Sequence, residues 1–482
     1  PQLFNNDKFL LQNEYRQKTK KTLSLVDFGF VNGHDSSVDD KGGSRTHIFT
    51  KSIIDLSLDD YINSSLKVDY QKTSNDNYLK IFNVESPILP VSNDVLESVV
   101  KLDLEHENYN FTASFERYET LKGSNSDRYQ YVLPTYNFNK NLYLEGLKGG
   151  LNFNSYGNNT LKDTNITTST LFNDLNYSAL NKFLENGIKT NFNIFLKNVN
   201  TIGKNNPKYE ESPRSELMSA YTYNVSLPMV KKTNTNFNTL EPKLSLRLSP
   251  HDMKNNRELE RRIDINNIFN SNRLSMNDSF ESGESITLGL NFKKEKIKTR
   301  NSISEIEEYI DFKIASVFRF KEEKNMPTKS TLNKKKSNIF GEFKFKPIEN
   351  ISLGYNFSLT EDLNTFEYNS MNAKMKFNNL TTQFDYLEEK GVIGRTNIIE
   401  NKTKYNFNDT NFISFNTRRN RKLNLTEYYN LIYEYKNDCL VAGIKYKKNY
   451  YSDADIKPTE ELFFSVTIVP LGSFSPSKMA LN

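Results

Sequence analysis

The stretch ISLGYNFSL, residues Ile351 to Leu359, alternates bulky apolar side chains with small or polar ones. Successive side chains of a β-strand point to opposite faces of the sheet, so such a stretch presents one apolar face and one polar face. The apolar face would carry Ile351, Leu353, Tyr355, Phe357 and Leu359, and the polar face Ser352, Asn356 and Ser358. The same period recurs in residues 244–248, 286–292 and 312–320. This pattern predicts an all-β, antiparallel protein with helix in fewer than about a tenth of its residues.

Alternating strands fit two kinds of protein. A soluble barrel or sandwich buries the apolar face, whereas a membrane barrel turns it outward to lipid and keeps water inside. A soluble chain of 482 residues would divide into several domains, but no Pro-, Gly- or Ser-rich linker marks a boundary. Only 36% of the residues are hydrophobic, which suffices for a barrel because only its outer band must be apolar. The sequence therefore predicts one large transmembrane β-barrel over residues 1–482.

The connections between the predicted strands support the membrane interpretation. Tight turns such as residues 347–350 alternate with long polar excursions, for which we take residues 154–171 and 203–216 as examples. Short turns at one rim and long loops at the other are typical of outer-membrane barrels. At roughly 20 residues per strand and connection, the chain holds about 22–24 strands. No stretch approaches the roughly 20 consecutive apolar residues that a membrane-spanning helix needs.

Charge and histidine content exclude several other classes of function. The net charge is only +5, from 64 basic and 59 acidic residues, so we predict no nucleic-acid partner. Two basic clusters, residues 334–336 and 418–422, could meet phosphates, although solvated loop or lumen charge is the commoner explanation of such clusters. The four histidines stand in no metal-binding or catalytic spacing. We therefore predict that the protein is not an enzyme and uses no cofactor or metal.

Several segments, in the same order along the chain, resemble the β-barrel of the lipopolysaccharide-assembly protein family, LptD. The segment LEPKLSLRLSP is similar to the family's "EP" strand, and residues 267–292 are similar to its loop with an Arg, an acidic residue and a Gly. Here those positions are Arg273, Asp278, Glu281 and Gly283. Further resemblances lie in residues 1–17, in residues 126–138 and in the C-terminal residues 428–472.

This resemblance implies an outer-membrane barrel of up to 26 strands in a Gram-negative bacterium. Because the chain begins with Pro1, we expect the first strands and an N-terminal periplasmic jellyroll to precede it. The family accepts lipopolysaccharide from a periplasmic bridge protein and inserts it into the outer leaflet, with an LptE-like lipoprotein plug in the lumen. Its C-terminal cysteine pair bridges to the N-terminal part. This chain has a single cysteine, Cys439, so we expect at most one such disulfide.

The resemblance also implies a lateral gate. The last strand, residues 462–469, would close the barrel against the first strand, and Pro470 would end the pairing because it cannot donate a ladder hydrogen bond. A lipid could leave sideways through that seam, with its sugar head in the lumen and its chains in the bilayer. We predict Phe464, Val466 and Ile468 on the lipid side of this strand, and Ser465 and Thr467 on the lumen side.

Two other functions remain open at the level of sequence. A large porin, or a plugged receptor-type transporter for a small hydrophilic solute, would keep the fold and change the cargo. A surface β-solenoid adhesin would need a fixed repeat period, and the sequence shows none.

Overall fold

The computed structural model describes residues 2–4, 8–32, 44–82, 84, 86–88, 94–121, 127–300, 303–450, 459–468, 472–474 and 479–480. In this part of the chain there are 28 strand segments, of which 23 contain 9 to 18 residues and five contain 2 to 4. One helix of four residues and one 3-10 turn of three residues are the helical elements among them. The predicted all-β composition is therefore confirmed.

The first half of the chain contains strands β1 to β15 and the one short helix. The strands are β1 Gln2–Phe4, β2 Lys8–Lys18, β3 Thr22–Val31, β4 Arg45–Asp55, β5 Asn63–Thr73, β6 Val95–Glu105, β7 Tyr109–Thr120, β8 Tyr129–Leu142, β9 Gly149–Lys162, β10 Ile166–Ala179, β11 Lys182–Phe183, β12 Lys189–Lys204, β13 Arg214–Ser226, β14 Met229–Lys232 and β15 Asn236–Ser249. The helix, α1, is Tyr78–Ile81 and lies between β5 and β6.

The second half contains strands β16 to β28. They are β16 Gly283–Arg300, β17 Ile303–Arg319, β18 Ile339–Ile348, β19 Ile351–Leu359, β20 Phe366–Phe377, β21 Leu380–Glu389, β22 Asn397–Asn406, β23 Asn411–Asn420, β24 Leu425–Lys436, β25 Leu440–Asn449, β26 Thr459–Ile468, β27 Gly472–Phe474 and β28 Met479–Ala480. The 3-10 turn, Thr328–Ser330, precedes β18.

Each long strand pairs antiparallel with the long strands before and after it in sequence. The short segments β11 and β14 extend the ladders of β12 and β15 at connections. This up-and-down order is the topology of a large antiparallel β-barrel, as predicted. An antiparallel meander also excludes the β-solenoid.

The two rims differ as expected. At one rim, which we call the short-turn rim, connections are as short as the two residues between β18 and β19 or between β20 and β21. At the other, the long-loop rim, 33 residues join β15 to β16 and 19 join β17 to β18. The prediction of a long excursion over residues 154–171 is wrong, because β9 and β10 pair over 14 residues and leave only residues 163–165 as a turn. Residues 154–170 contain few apolar side chains, which hides the alternation in the sequence, although Phe153, Leu171 and Leu175 share one face of the paired hairpin.

The registers sort the side chains of β15 to β19 onto two faces. Leu288 lies opposite Leu244, Phe357 lies opposite Gly341, and all four residues share one face of the sheet. Leu288 is 45% exposed, and we call this face the outer face. Val317, Phe340 and Ser358 lie on the opposite, inner face and are buried. A large exposed apolar surface of this kind is what lipid would cover. Ile351, Leu353, Tyr355, Phe357 and Leu359 share the outer face by register, as predicted.

The described residues contain no helix that is long and apolar enough to cross a membrane.

Substituting Arg on the two faces of β19 tests this assignment. Leu353→Arg should lower the free energy of unfolding in a bilayer by about 2–4 kcal/mol, because the charge would sit in lipid. Asn356→Arg should cost far less, because Asn356 lines an inner-face cavity of about 220 Å³. Urea unfolding in phospholipid vesicles measures both variants. Equal stability of the two would contradict the assignment of the faces.

Candidate functional site

The connection between β15 and β16, residues 250–282, folds onto the inner face; we call it the inner segment. Its apolar side chains pack against the inner-face residues Ala315, Val317 and Phe340. The buried members from the inner segment are Met253, Ile263, Ile265, Ile268, Leu274 and Met276. Met326 and Leu332, from the connection between β17 and β18, complete this cluster. Apolar burial therefore holds a long loop inside the sheet rather than in solvent.

A buried ion pair fixes the end of the inner segment. The Arg273 Nε donates to Glu281 Oε2 at 2.6 Å, and Arg273 Nη2 donates to Glu281 Oε1 at 2.5 Å. Both side chains are only 2% exposed. Arg273 also donates to Thr287 Oγ1 at 3.0 Å and to Ser285 Oγ at 3.2 Å, both on the inner face of β16. This bidentate pair joins the inner segment to the wall of the sheet.

Two further arginines, one from each strand beside β16, converge on the same carboxylate. Arg319 of β17 donates from Nη1 to Glu281 Oε1 at 2.7 Å. Arg247 of β15 places its Nε 3.9 Å from Glu281 Oε2 and donates from Nη1 to Asn270 O at 3.4 Å. Three guanidinium groups thus surround one carboxylate; we call this group the arginine cluster.

The arginine cluster controls the ionisation of Glu281. Burial of the carboxyl acts to raise its pKa, but the charges of Arg273, Arg247 and Arg319 outweigh burial and lower the pKa to about 2. A buried carboxylate that lost these partners would be strongly destabilising. Glu281 is therefore ionised at neutral pH and attaches the inner segment to three adjacent strands.

Gly283, the first residue of β16, makes room for this arrangement. Its φ of +84° lies in the region that favours glycine. A Cβ atom at this position would stand 2.8 Å from Arg319 Nη2. A larger residue would thus strain the backbone and displace an arginine from Glu281.

The same end of the inner segment has a second polar attachment. Tyr209 donates its hydroxyl proton to Asp278 Oδ2 at 2.6 Å, and Lys208 Nζ lies 2.5 Å from the same oxygen. The fully buried Lys197 donates from Nζ to Asn277 O at 3.2 Å and pairs with Asp174 at 2.7 Å. Strand β12 and the connection that follows it therefore also hold the segment, and Asp174 of β10 pairs with Lys197.

Near the start of the chain, α1 attaches to the sheet through a different buried network. Tyr78 Oη lies 3.0 Å from His47 Nδ1, and His47 Nε2 lies 3.3 Å from Asp27 Oδ1. All three side chains are buried. Gly29 leaves the space for this contact, since a Cβ there would stand 2.9 Å from Tyr78 Oη.

The predicted gate strand is β26, Thr459–Ile468. It forms ten ladder pairs with β25, among them Ile444↔Phe464 and Gly443↔Ser465. On its other edge the described pairs are three with β27 and two with β28. Phe464 is exposed, whereas Ser465 and Val466 are partly exposed. Thr467 pairs with Val441 and Ile468 with Leu440, while Pro470 lies outside the described residues.

Cys439 lies in the turn between β24 and β25, immediately before β25, at the short-turn rim. It is exposed and not in a disulfide. Its backbone N–H donates to Asn437 Oδ1 at 3.0 Å, which is an Asx-type turn.

The four motif residues, Arg273, Asp278, Glu281 and Gly283, all take part in attaching the inner segment to the sheet. Arg273 pairs with Glu281, Asp278 pairs with Lys208, and Gly283 clears the space beside Arg319. Sequence analysis did not identify Arg247, Arg319 or Lys197 as their partners. The sequence does contain an indication for Arg247. This residue stands between Leu246 and Leu248, so the strand period places its side chain on the polar face.

A protein-family model described as LptD, LPS transport system D, matches residues 55–409. No curated protein matches the chain. Among solved structures, the siderophore receptor PirA from Acinetobacter baumannii is 9% identical with a TM-score of 0.33, over 94% of this chain and 74% of that one. The siderophore receptor PiuA from the same organism is 10% identical with a TM-score of 0.29, over 85% of this chain and 80% of that one. At such low TM-scores neither likeness bears on function.

Removing the charge of Glu281 should release the inner segment. Glu281→Gln leaves three buried arginines without their carboxylate, so the local free energy of opening should fall by about 3–5 kcal/mol. In the unchanged protein, stabilisation by Glu281 is complete above about pH 4.5 and is lost as the pH falls toward about 2, because the folded pKa is lowered. Amide hydrogen exchange of residues 250–282 measures both effects.

Glu260→Gln provides the matched control in the same segment. The Glu260 side chain is 72% exposed and pairs with Lys329, so its loss should change protection little. Equal loss of protection in the two variants, or unchanged protection in Glu281→Gln, would show that the arginine cluster does not hold the segment.

Proposed function

The chain belongs to the LptD family of lipopolysaccharide transport proteins and is an outer-membrane protein, and from this premise we propose that it inserts lipopolysaccharide into the outer leaflet. The family match over residues 55–409 is the observation that carries the proposal. In the proposed route the sugar head passes through the lumen, and the lipid leaves through a lateral gate at β26. A porin or receptor-type transporter has the same fold, but the family match favours lipopolysaccharide as the cargo.

Two features of the sheet support this route. The outer face is apolar and exposed, as a surface in contact with acyl chains must be, and the inner face carries the polar and charged side chains. In the described part of the chain, the side-chain hydrogen bonds and ion pairs of the inner segment reach as far as Glu389 on β21 and Ile393 in the connection after it, and none reaches β23 to β26. We therefore expect the sugar head to pass along the inner face of β23 to β26, next to the gate strand.

The position of β26 supports the position of the gate. It is the last of the long strands in the described part of the chain, and it forms ten ladder pairs with β25. Its other edge, where the short segments β27 and β28 pair, is the one that we expect to meet the first barrel strand in the full-length protein. Phe464 lies opposite Ile444 on the same face, so we expect its side chain to meet lipid. Ser465 is the next residue of the strand, so its side chain would face the lumen.

Tying the gate shut tests the proposal. In the full-length protein, a disulfide from Ser465→Cys to a cysteine placed on the first barrel strand should abolish the appearance of new lipopolysaccharide at the cell surface. The barrel should stay folded, because the link adds a constraint to an intact sheet. Surface labelling of lipopolysaccharide, with and without reductant, measures the effect.

A control disulfide joins Lys374→Cys to Gln383→Cys, which are direct partners in the β20–β21 ladder. It should leave export unchanged. Normal export by the gate-tethered protein would reject the lateral gate. Normal surface lipopolysaccharide after depletion of the whole protein would reject the proposed function.

We also propose two protein partners, an LptE-like lipoprotein inside the lumen and a periplasmic bridge protein that reaches the N-terminal part of the full protein. Outer-membrane barrels have short periplasmic turns, which places the short-turn rim and Cys439 in the periplasm. There Cys439 would form a disulfide with a cysteine of the periplasmic part.

Mass mapping of the full-length mature protein under non-reducing conditions tests this disulfide. The expected result is a peptide that contains Cys439 linked to an N-terminal peptide, because the thiol is exposed in a turn at the periplasmic rim. Addition of reductant should separate the two peptides. A free thiol at Cys439 in the untreated protein would refute the disulfide.

A further inference from the structure

A polar cleft of about 400 Å³ opens at the long-loop rim between two neighbouring connections. One connection joins β21 to β22 and the other joins β23 to β24. Its volume lies in the range of about 300–1,000 Å³ that small-molecule sites occupy. The lining residues include Glu388, Glu389, Arg395, Asn397, Arg421 and Lys422. We call it the rim cleft.

The rim cleft has an excess of positive charge. Both of its acidic groups are already paired: Glu388 lies 3.0 Å from Lys390 Nζ, and Glu389 pairs with Arg262 of the inner segment. Arg395, Arg421 and Lys422 are exposed, and in the described part of the chain no side-chain hydrogen bond or ion pair joins them to another residue. Three cations therefore remain available to an anion.

Four of the other basic groups in the sequence clusters 334–336 and 418–422 have partners in the protein. Arg418 pairs with Glu427 at 2.9 Å, and Arg419 donates to Asn424 Oδ1 at 2.7 Å. Lys336 donates to Glu361 O at 3.1 Å, and Lys334 lies 3.7 Å from the Glu361 carboxylate. These four cations therefore stabilise loops, whereas Arg395, Arg421 and Lys422 line the rim cleft.

Local backbone geometry shapes the cleft. Gly391 has a φ of +61°, and a Cβ on it would collide with the Glu367 carboxylate. A Cβ on Gly394 would stand 2.5 Å from Glu389 Oε2. On the cleft wall, the buried Asn397 Oδ1 has no hydrogen-bond partner. Such an acceptor suits a hydroxyl group carried by the same ligand as the anion.

Apolar surface adjoins the cleft on the membrane side. Glu388 and Asn397 are direct ladder partners on the outer face. Below them on the same face lie Ile399 and Phe384, which are 37% and 47% exposed. Leu423, at the tip of the second connection, is 67% exposed. A cationic cleft directly above a lipid-facing apolar strip fits an amphiphile with an anionic head and acyl chains.

We propose that the rim cleft binds the phosphorylated head of a glycolipid in the outer leaflet. Arg395, Arg421 and Lys422 contact the phosphate, Asn397 accepts from a sugar hydroxyl, and the acyl chains lie along the strip at Ile399 and Phe384. The proposal deepens the proposed function, on which it rests, since lipopolysaccharide is such a glycolipid. The cleft lies on strands close in sequence to the gate strand, so it would hold cargo that has just left the seam.

Binding by the full-length protein in phosphatidylethanolamine nanodiscs tests the site, with purified lipopolysaccharide as the probe. Arg421→Gln combined with Lys422→Gln should weaken binding about tenfold, the effect of losing roughly 1.4 kcal/mol of charge-assisted contact. Lys334→Gln combined with Lys335→Gln removes the same charge at the same rim and should leave the affinity unchanged. Lipopolysaccharide stripped of its phosphates should bind weakly to every variant.

Three results would overturn the site. These are equal weakening in both double variants, equal binding of phosphorylated and dephosphorylated lipopolysaccharide, and inorganic pyrophosphate binding as tightly as the glycolipid. The last would identify a site for a free anion rather than a lipid head. These outcomes differ from failure of the proposed function, which surface lipopolysaccharide reports in cells whether or not the rim cleft binds.

Discussion

The constraint on which this structure depends is that lipid offers no hydrogen-bond partner to a peptide group. Each strand that crosses the membrane must therefore satisfy its N–H and C=O groups on its neighbours, and the chain does so with consecutive antiparallel ladders. Once the ladders are fixed, the two-residue period assigns each side chain of a regular strand to one of two faces. In β15 to β19 the exposed apolar side chains, such as Leu288, lie on the outer face, and Arg247, Arg319 and Glu342 lie on the inner face.

An interior that is polar can hold charge at low cost only where the charges find partners. Glu281 meets Arg247, Arg273 and Arg319, one from its own segment and two from flanking strands. Burying these ions costs free energy, so the arrangement does more to fix the position of the inner segment than to stabilise the fold. It fixes where a 33-residue connection sits, and with it the shape of the lumen. A purely apolar segment could slide, whereas bidentate pairing and the glycine at Gly283 allow a single placement.

Function is expected where the sheet departs from regularity. In the described part of the chain β26 is the last long strand and pairs on one edge with the short segments β27 and β28, and the rim cleft lies where the ladder of β21 and β22 ends. Both departures face the membrane, and both lie in the C-terminal third of the chain. An amphiphile needs just these two things, a seam through which to pass and an anionic-head site at the height of the leaflet. The central strands, with continuous ladders and the attached inner segment, supply the rigid frame.

The sequence by itself determined the fold class and the face of each residue in the regular strands, because the period of a strand is local. Ile351 to Leu359 could be assigned without knowing any neighbour, and the motif around Arg273 pointed to the family. The hairpin of β9 and β10 was missed because residues 154–170 contain few apolar side chains, and the backbone pairing shows it. Tertiary structure alone decided that residues 250–282 lie inside the sheet and that Arg247, Arg319 and Lys197 hold them. It also decided which basic residues of a cluster are paired and which line the rim cleft. These facts depend on contacts between residues up to 131 positions apart, such as Arg262 with Ile393, and no local pattern encodes such contacts.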